Sequence, residues 1–122
     1  MHLKQQFLGR MKSFAFAFKG LAELIKSEPN ARIHVGASVV AIIAGFLLNI
    51  SKLEWCAVFI AIALVISSEA FNTAIEKLVD HLFPYQNEIA RIIKDISAGA
   101  VLICAIIALI VGLIIFLPKL IS

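Results

Sequence analysis

The chain has 122 residues, of which 61% are hydrophobic and only 16% charged, and it carries a net charge of +3. Soluble domains sit nearer half apolar and a quarter charged, so the length allows one domain and the composition places that domain in a bilayer. The few basic residues flank apolar stretches, which speaks against a nucleic-acid surface, and Cys56 and Cys104 lie inside such stretches with no disulfide or metal spacing.

Residues 2–27 predict an amphipathic surface helix. Leu3, Phe7, Met11, Phe14, Phe18, Leu21 and Ile25 recur every three or four positions, while Lys4, Lys12, Lys19 and Lys26 keep to other parts of the wheel. Such a helix lies in the membrane interface, packs on its own bundle, or does both. The cluster "FAFAF" is too short for a signal-peptide core and runs into Lys19. "SEPNAR" breaks the helix, because Pro29 disfavours helical geometry at Glu28 and removes a backbone donor.

Three uncharged stretches follow: Val35 to Ser51, Trp55 to Ser68 and Ile96 to Pro118. A spanning helix needs roughly 17–25 residues. The first and third qualify as they stand. The second reaches that length only by continuing through Glu69, unless it is a short re-entrant helix. The predicted spans are therefore about 33–51, 54–75 and 96–118, with Glu69 at membrane depth. "NISKLE" makes a tight turn, "HLFPYQNE" a loop around Pro84, and "IARIIKD" a short polar helix before the last span. His34 and His81 read as interfacial residues. Lys4, Arg10, Lys12, Lys19, Lys26 and Arg32, with Lys77, Arg91 and Lys94, face only Lys52 and Lys119 on the other side. The positive-inside tendency then puts the N-terminus in the cytoplasm and the C-terminus outside.

The chemistry concentrates in "SSEAFNTAIEKLVD", from Ser67 to Asp80. At about 100° per residue, Glu69, Asn72, Glu76 and Asp80 fall within an arc of about 80°. Lys77 is the only basic residue near them on the wheel. Aligned like charges repel, and more so near lipid, so the row calls for something cationic: a divalent ion, a proton, or a partner's lysine or arginine. Oxygen-only donors suit a hard ion, Mg²⁺ above all, and zinc is disfavoured because the cluster lacks cysteine and His34 and His81 stand alone. Glu76 and Asp80 alone would pass as a solvated helix face. Glu69 would not, because an ionisable group at membrane depth marks a functional site. Lys94 and Asp95 read first as a snorkelling lysine and a dipole-complementing acid, and second as a phosphate contact. No phosphate-binding G-x-x-x-x-G-K-[ST] motif is present.

"E-x-x-N-T-A-I-E-x-x-V-D", from Glu69 to Asp80, resembles the signature of the small bacterial membrane diacylglycerol kinase family, which includes undecaprenol kinases. "KDISAGAVL" and "SEPNARIH" resemble two further blocks of that family, so the likeness covers nearly the whole chain. The resemblance implies an all-α membrane protein with three transmembrane helices and a surface helix, working as a homotrimer with active sites between subunits. It implies an ATP- and Mg²⁺-dependent lipid kinase of the bacterial cytoplasmic membrane, acting on a membrane lipid alcohol. Diacylglycerol, giving phosphatidic acid, is the first expectation, and undecaprenol the alternative. On this resemblance Glu69 is the catalytic base and Glu28 and Glu76 are the metal ligands. The nucleotide meets Arg10, Glu28, Asn72, Glu76, Tyr85, Lys94 and Asp95, and the lipid meets Phe14, Phe18, Asn30, Glu69 and Ala98. Gln86 and Asn87 depart from the family's usual Tyr-His pattern on the nucleotide side. Desolvated interface chemistry of this kind needs positioning and charge neutralisation more than covalent steps. Two other readings compete from the residues alone: a small ion- or proton-conducting oligomer using Glu69, and a non-catalytic subunit docking a basic partner.

Overall fold

A computed structural model describes residues 1–122 as four helices without a strand. They are α1 (His2–Ser27), α2 (Pro29–Leu47), α3 (Lys52–Leu82) and α4 (Glu88–Ile121). The last three are long and apolar enough to cross a membrane.

The corner between α1 and α2 is a single extended residue, Glu28, with φ −118° and ψ 110°. Pro29 starts α2, where its missing N–H costs nothing. Arg32 closes the corner by donating from Nη1 to the carbonyls of Ile25 (3.3 Å) and Lys26 (3.1 Å). Those are last-turn acceptors that α1 itself cannot satisfy.

The turn from α2 to α3 passes through Asn49, whose φ of 51° is the one left-handed non-glycine in the chain. Asparagine tolerates that region better than most residues. Ser51 and Glu54 then form a capping box: the Glu54 N–H donates to Ser51 Oγ at 3.1 Å, and the Ser51 N–H to Glu54 Oε1 at 2.9 Å. Beneath this turn Gly45 meets the Trp55 ring. A Cβ at position 45 would stand 2.7 Å from it, so only glycine fits without a shift.

α3 and α4 form the most extensive pairing, while α1 touches α2 and α3 more lightly. They run antiparallel, as two ion pairs at opposite ends show: Asp80 with Lys94 at 2.7 Å, and Glu54 with Lys119 at 3.4 Å. At the Glu54 end the buried core is Ile50, Val58 and Ile115, with Trp55, Val111 and Phe116 packed around it. At about 1.5 Å per residue, α3 and α4 are roughly 47 and 51 Å long. A hydrocarbon layer is about 30 Å thick, so their polar ends project beyond it.

Each predicted span falls mostly within one apolar helix, but the bounds differ. α2 begins at Pro29 and ends at Leu47, short of residue 51, because the chain turns at the left-handed Asn49, while α3 and α4 extend beyond their spans. α3 continues past 75 to Leu82, because no glycine or proline interrupts its acidic stretch. The polar segment before the last span is the first part of α4 rather than a separate helix, since nothing between Asp95 and Ile96 breaks it. Asn87 caps α4 by accepting from the Ile89 and Ala90 N–H groups. Only 13 of 122 residues are buried, so most apolar side chains are left for lipid or for other chains.

Candidate active site

The polar side chains gather where α3 passes the start of α2 and the start of α4. Glu69 is buried on α3 with a relative exposure of 4%. His34 of α2 brings Nε2 to 3.3 Å from Glu69 Oε1. Glu28 and Glu76 both lie close enough for their charges to act on Glu69. One turn along α3, Asn72 donates from Nδ2 to Glu76 Oε1 at 3.3 Å and accepts from Ser97 Oγ of α4 at 2.8 Å. Thr73, buried on the same face, has the one buried side-chain oxygen without a hydrogen-bond partner. A further turn along, Asp80 accepts from Lys94 Nζ. That bond holds the Lys94 ammonium above its usual range.

Beyond this row lies a hollow of about 690 Å³ whose wall includes Asp80, Tyr85, Gln86, Arg91, Lys94 and Asp95. Tyr85 is exposed and stands edge-on to Phe83. Arg91 pairs with Glu88 and, at 2.7 Å, with Asp95. Asp95 therefore faces its own helix partner, not the Glu69 row. Asn87 has both of its accepting contacts on the α4 N-terminus, while Gln86 is exposed.

The residues of sequence interest thus fall into two sets. Glu28, Glu69, Asn72, Glu76 and Lys94 converge on one end of the α3–α4 pair, together with Asp80. Arg10, Phe14, Phe18, Asn30 and Ala98 are exposed in the single chain, with no hydrogen bond or ion pair to that cluster. Two expectations change. His34 faces Glu69 rather than standing alone at the interface. The cation that meets the acidic row is Lys94 from α4, not Lys77 from α3 itself, because packing brings in a residue 14 positions away. Ser97 had no role in the sequence, although its spacing of three from Lys94 places both on one face of α4.

No three histidine, cysteine or acidic side chains stand close enough to hold a metal between them. Glu28 and Glu76, both near Glu69, are nonetheless oxygen donors of the kind Mg²⁺ takes, since it commonly binds through one or two carboxylates plus substrate phosphates.

Residues 15–116 match the family described as prokaryotic diacylglycerol kinase. This chain belongs to that family. It is a lipid kinase and a multi-pass membrane protein. Among its relatives, an undecaprenol kinase of Bacillus subtilis is 42% identical over 109 residues, covering 89% of both chains. A diacylglycerol kinase of Synechocystis is 38% identical over 111 residues, covering 90% of this chain but 63% of that longer protein. A diacylglycerol kinase of Escherichia coli is 28% identical over 100 residues, 82% of each chain. The matched region of the diacylglycerol kinase family begins inside α1 and contains every residue of the polar cluster.

Proposed function

We propose that this kinase transfers the γ-phosphate of ATP to the hydroxyl of a membrane lipid alcohol in a Mg²⁺-dependent reaction. The observation that carries this is the convergence of a buried carboxylate, Glu69, with two further carboxylates and a lysine at the polar end of the spanning helices. In this reading Glu69 accepts the proton of the lipid hydroxyl as its oxygen bonds to the γ-phosphorus and the bond to ADP breaks. Glu28 and Glu76 would hold Mg²⁺, which supplies neutralisation of phosphate charge when bound. Asn72, tied to Ser97, sets the orientation of Glu76. Lys94 offers the phosphates a point charge, and Asp80 keeps it beside the row. Arg10, Tyr85 and Asp95 complete the nucleotide contacts.

The acceptor expected first is diacylglycerol, giving phosphatidic acid. Undecaprenol is the second reading, supported by the likeness over 89% of both chains to a kinase named for that lipid. The polar end faces the cytoplasm of the bacterial inner membrane, where ATP is available. The excess of basic residues before residue 35 and between 76 and 95 supports this. A homotrimer with sites between subunits accounts for the exposure of Phe14, Phe18, Asn30 and Ala98, which are free to meet lipid or a neighbouring copy.

The test is phosphate transfer from labelled ATP in mixed micelles, comparing diacylglycerol, undecaprenol and ceramide-like alcohols with and without Mg²⁺. Transfer to a lipid alcohol that requires Mg²⁺ supports the reading. No transfer to any of them, with an ion conductance that requires Glu69, overturns it in favour of a channel.

A further inference from the structure

The Glu69 carboxylate has one partner among the hydrogen bonds and ion pairs of the chain, and it is His34. Its other charged neighbours are Glu28 and Glu76, both of like sign. No basic residue of α3 or α4 reaches it: Lys94 is taken by Asp80, and Arg91 by Glu88 and Asp95. Repulsion from Glu28 and Glu76 can push the Glu69 carboxylate away but offers it no contact to rest on.

His34 is well placed to supply that contact. It sits just past the Glu28 corner, whose geometry Arg32 fastens. Its backbone carbonyl accepts from Ser38 Oγ at 2.7 Å. The same side chain lines one end of an apolar cavity of about 480 Å³ between α2, α3 and α4, walled mostly by alanine, valine and other aliphatic residues. The imidazole therefore stands at the boundary between that cavity and the carboxylates, with Nε2 3.3 Å from Glu69 Oε1.

We propose that His34 is a positioning residue for Glu69, holding its carboxylate in the orientation from which it takes the lipid hydroxyl proton. The inference rests on the lipid-kinase reading above. It does not depend on which lipid is phosphorylated. His34 touches neither phosphate nor the reacting oxygen in this role. Its loss therefore lowers turnover and leaves substrate binding alone.

The experiment compares wild type, His34→Ala, His34→Gln and Glu69→Gln in micelles, by steady-state kinetics and by infrared spectroscopy of the carboxylate band that Glu69→Gln removes. Removing a group that orients a reacting side chain costs roughly ten- to a hundred-fold. His34→Ala is expected to lose that much kcat, with KM for ATP and for lipid within about twofold and the Glu69 band displaced. His34→Gln keeps an N–H of similar reach and is expected to recover much of both. Unchanged kcat with an unmoved band overturns the proposal, as does a rise in lipid KM at constant kcat, which would make His34 a lipid contact. A wild-type protein that phosphorylates no lipid alcohol overturns the kinase reading and this inference with it. An active wild type with an equally active His34→Ala variant overturns this inference alone.

Discussion

The two ends of the α3–α4 pair are built on opposite principles. At the Glu54 end the contacts are apolar and close: Ile50, Val58 and Ile115 form the core, and Gly45 admits the Trp55 ring. Phe46 and Phe59 flank that ring at centroid distances of 4.8 and 5.4 Å. The single ion pair there, Glu54 with Lys119, is peripheral to the packing. At the Glu69 end the helices are joined by polar groups, through Ser97 to Asn72 and Lys94 to Asp80. Carboxylates there outnumber the cations that meet them, and Thr73 keeps an unsatisfied hydroxyl. One end is arranged for stability. The other leaves charge and hydrogen-bonding capacity unused, which is what the proposed site for an ionic substrate requires.

Substitutions at the two ends are expected to separate activity from stability. The largest effect is expected from Glu69→Gln, which should cut kcat by about 10²–10⁴-fold, the range for a general base, while the thermal midpoint in detergent stays put or rises. A fall in midpoint with turnover retained would reverse the assignment of the two ends. Next, Lys94→Ala should raise KM for ATP or lower kcat/KM by roughly ten- to a hundred-fold, as for a lost charge-assisted phosphate contact. Normal ATP kinetics would remove Lys94 from the site. Gly45→Ala forces the Trp55 ring to shift and should destabilise by about 1–3 kcal/mol, read as an earlier unfolding midpoint, with kcat/KM unchanged. Asp80→Asn leaves Lys94 without its charged partner. It should weaken ATP use by a factor of roughly three to ten, less than Lys94→Ala does, because Lys94 itself remains. Lys119→Met should change least: activity as in wild type, and a midpoint shift smaller than that of Gly45→Ala.

Much of this was open to reading along the chain, and the successes share a cause. Helix periodicity, the Pro29 break and the length of the uncharged stretches are local properties. They placed a helix over residues 2–27 and three long apolar helices after it, as the structure has them. The same periodicity put Glu69, Asn72, Glu76 and Asp80 on one face, and α3 keeps them there. The failures also share a cause. Lys77 was the nearest cation on the wheel, yet Lys94 makes the contact. His34 looked isolated because 35 positions separate it from Glu69, while packing leaves 3.3 Å. The predicted spans stop at 75 and start at 96, where polarity changes, while α3 runs on to Leu82 and α4 starts at Glu88, because polarity bounds a membrane span without ending a helix.

By itself, then, the amino-acid order determined that this chain forms helices, that three of them suit a bilayer, and that a row of acids shares one face at its edge. Those outcomes depend on backbone geometry and on transfer of apolar groups, both of which act within a single helix. Only the tertiary structure decided which groups face that row: His34 for Glu69, Ser97 for Asn72, Lys94 for Asp80. Such pairings are set by how α2 and α4 dock on α3, a register that side-chain packing selects and that no local spacing encodes.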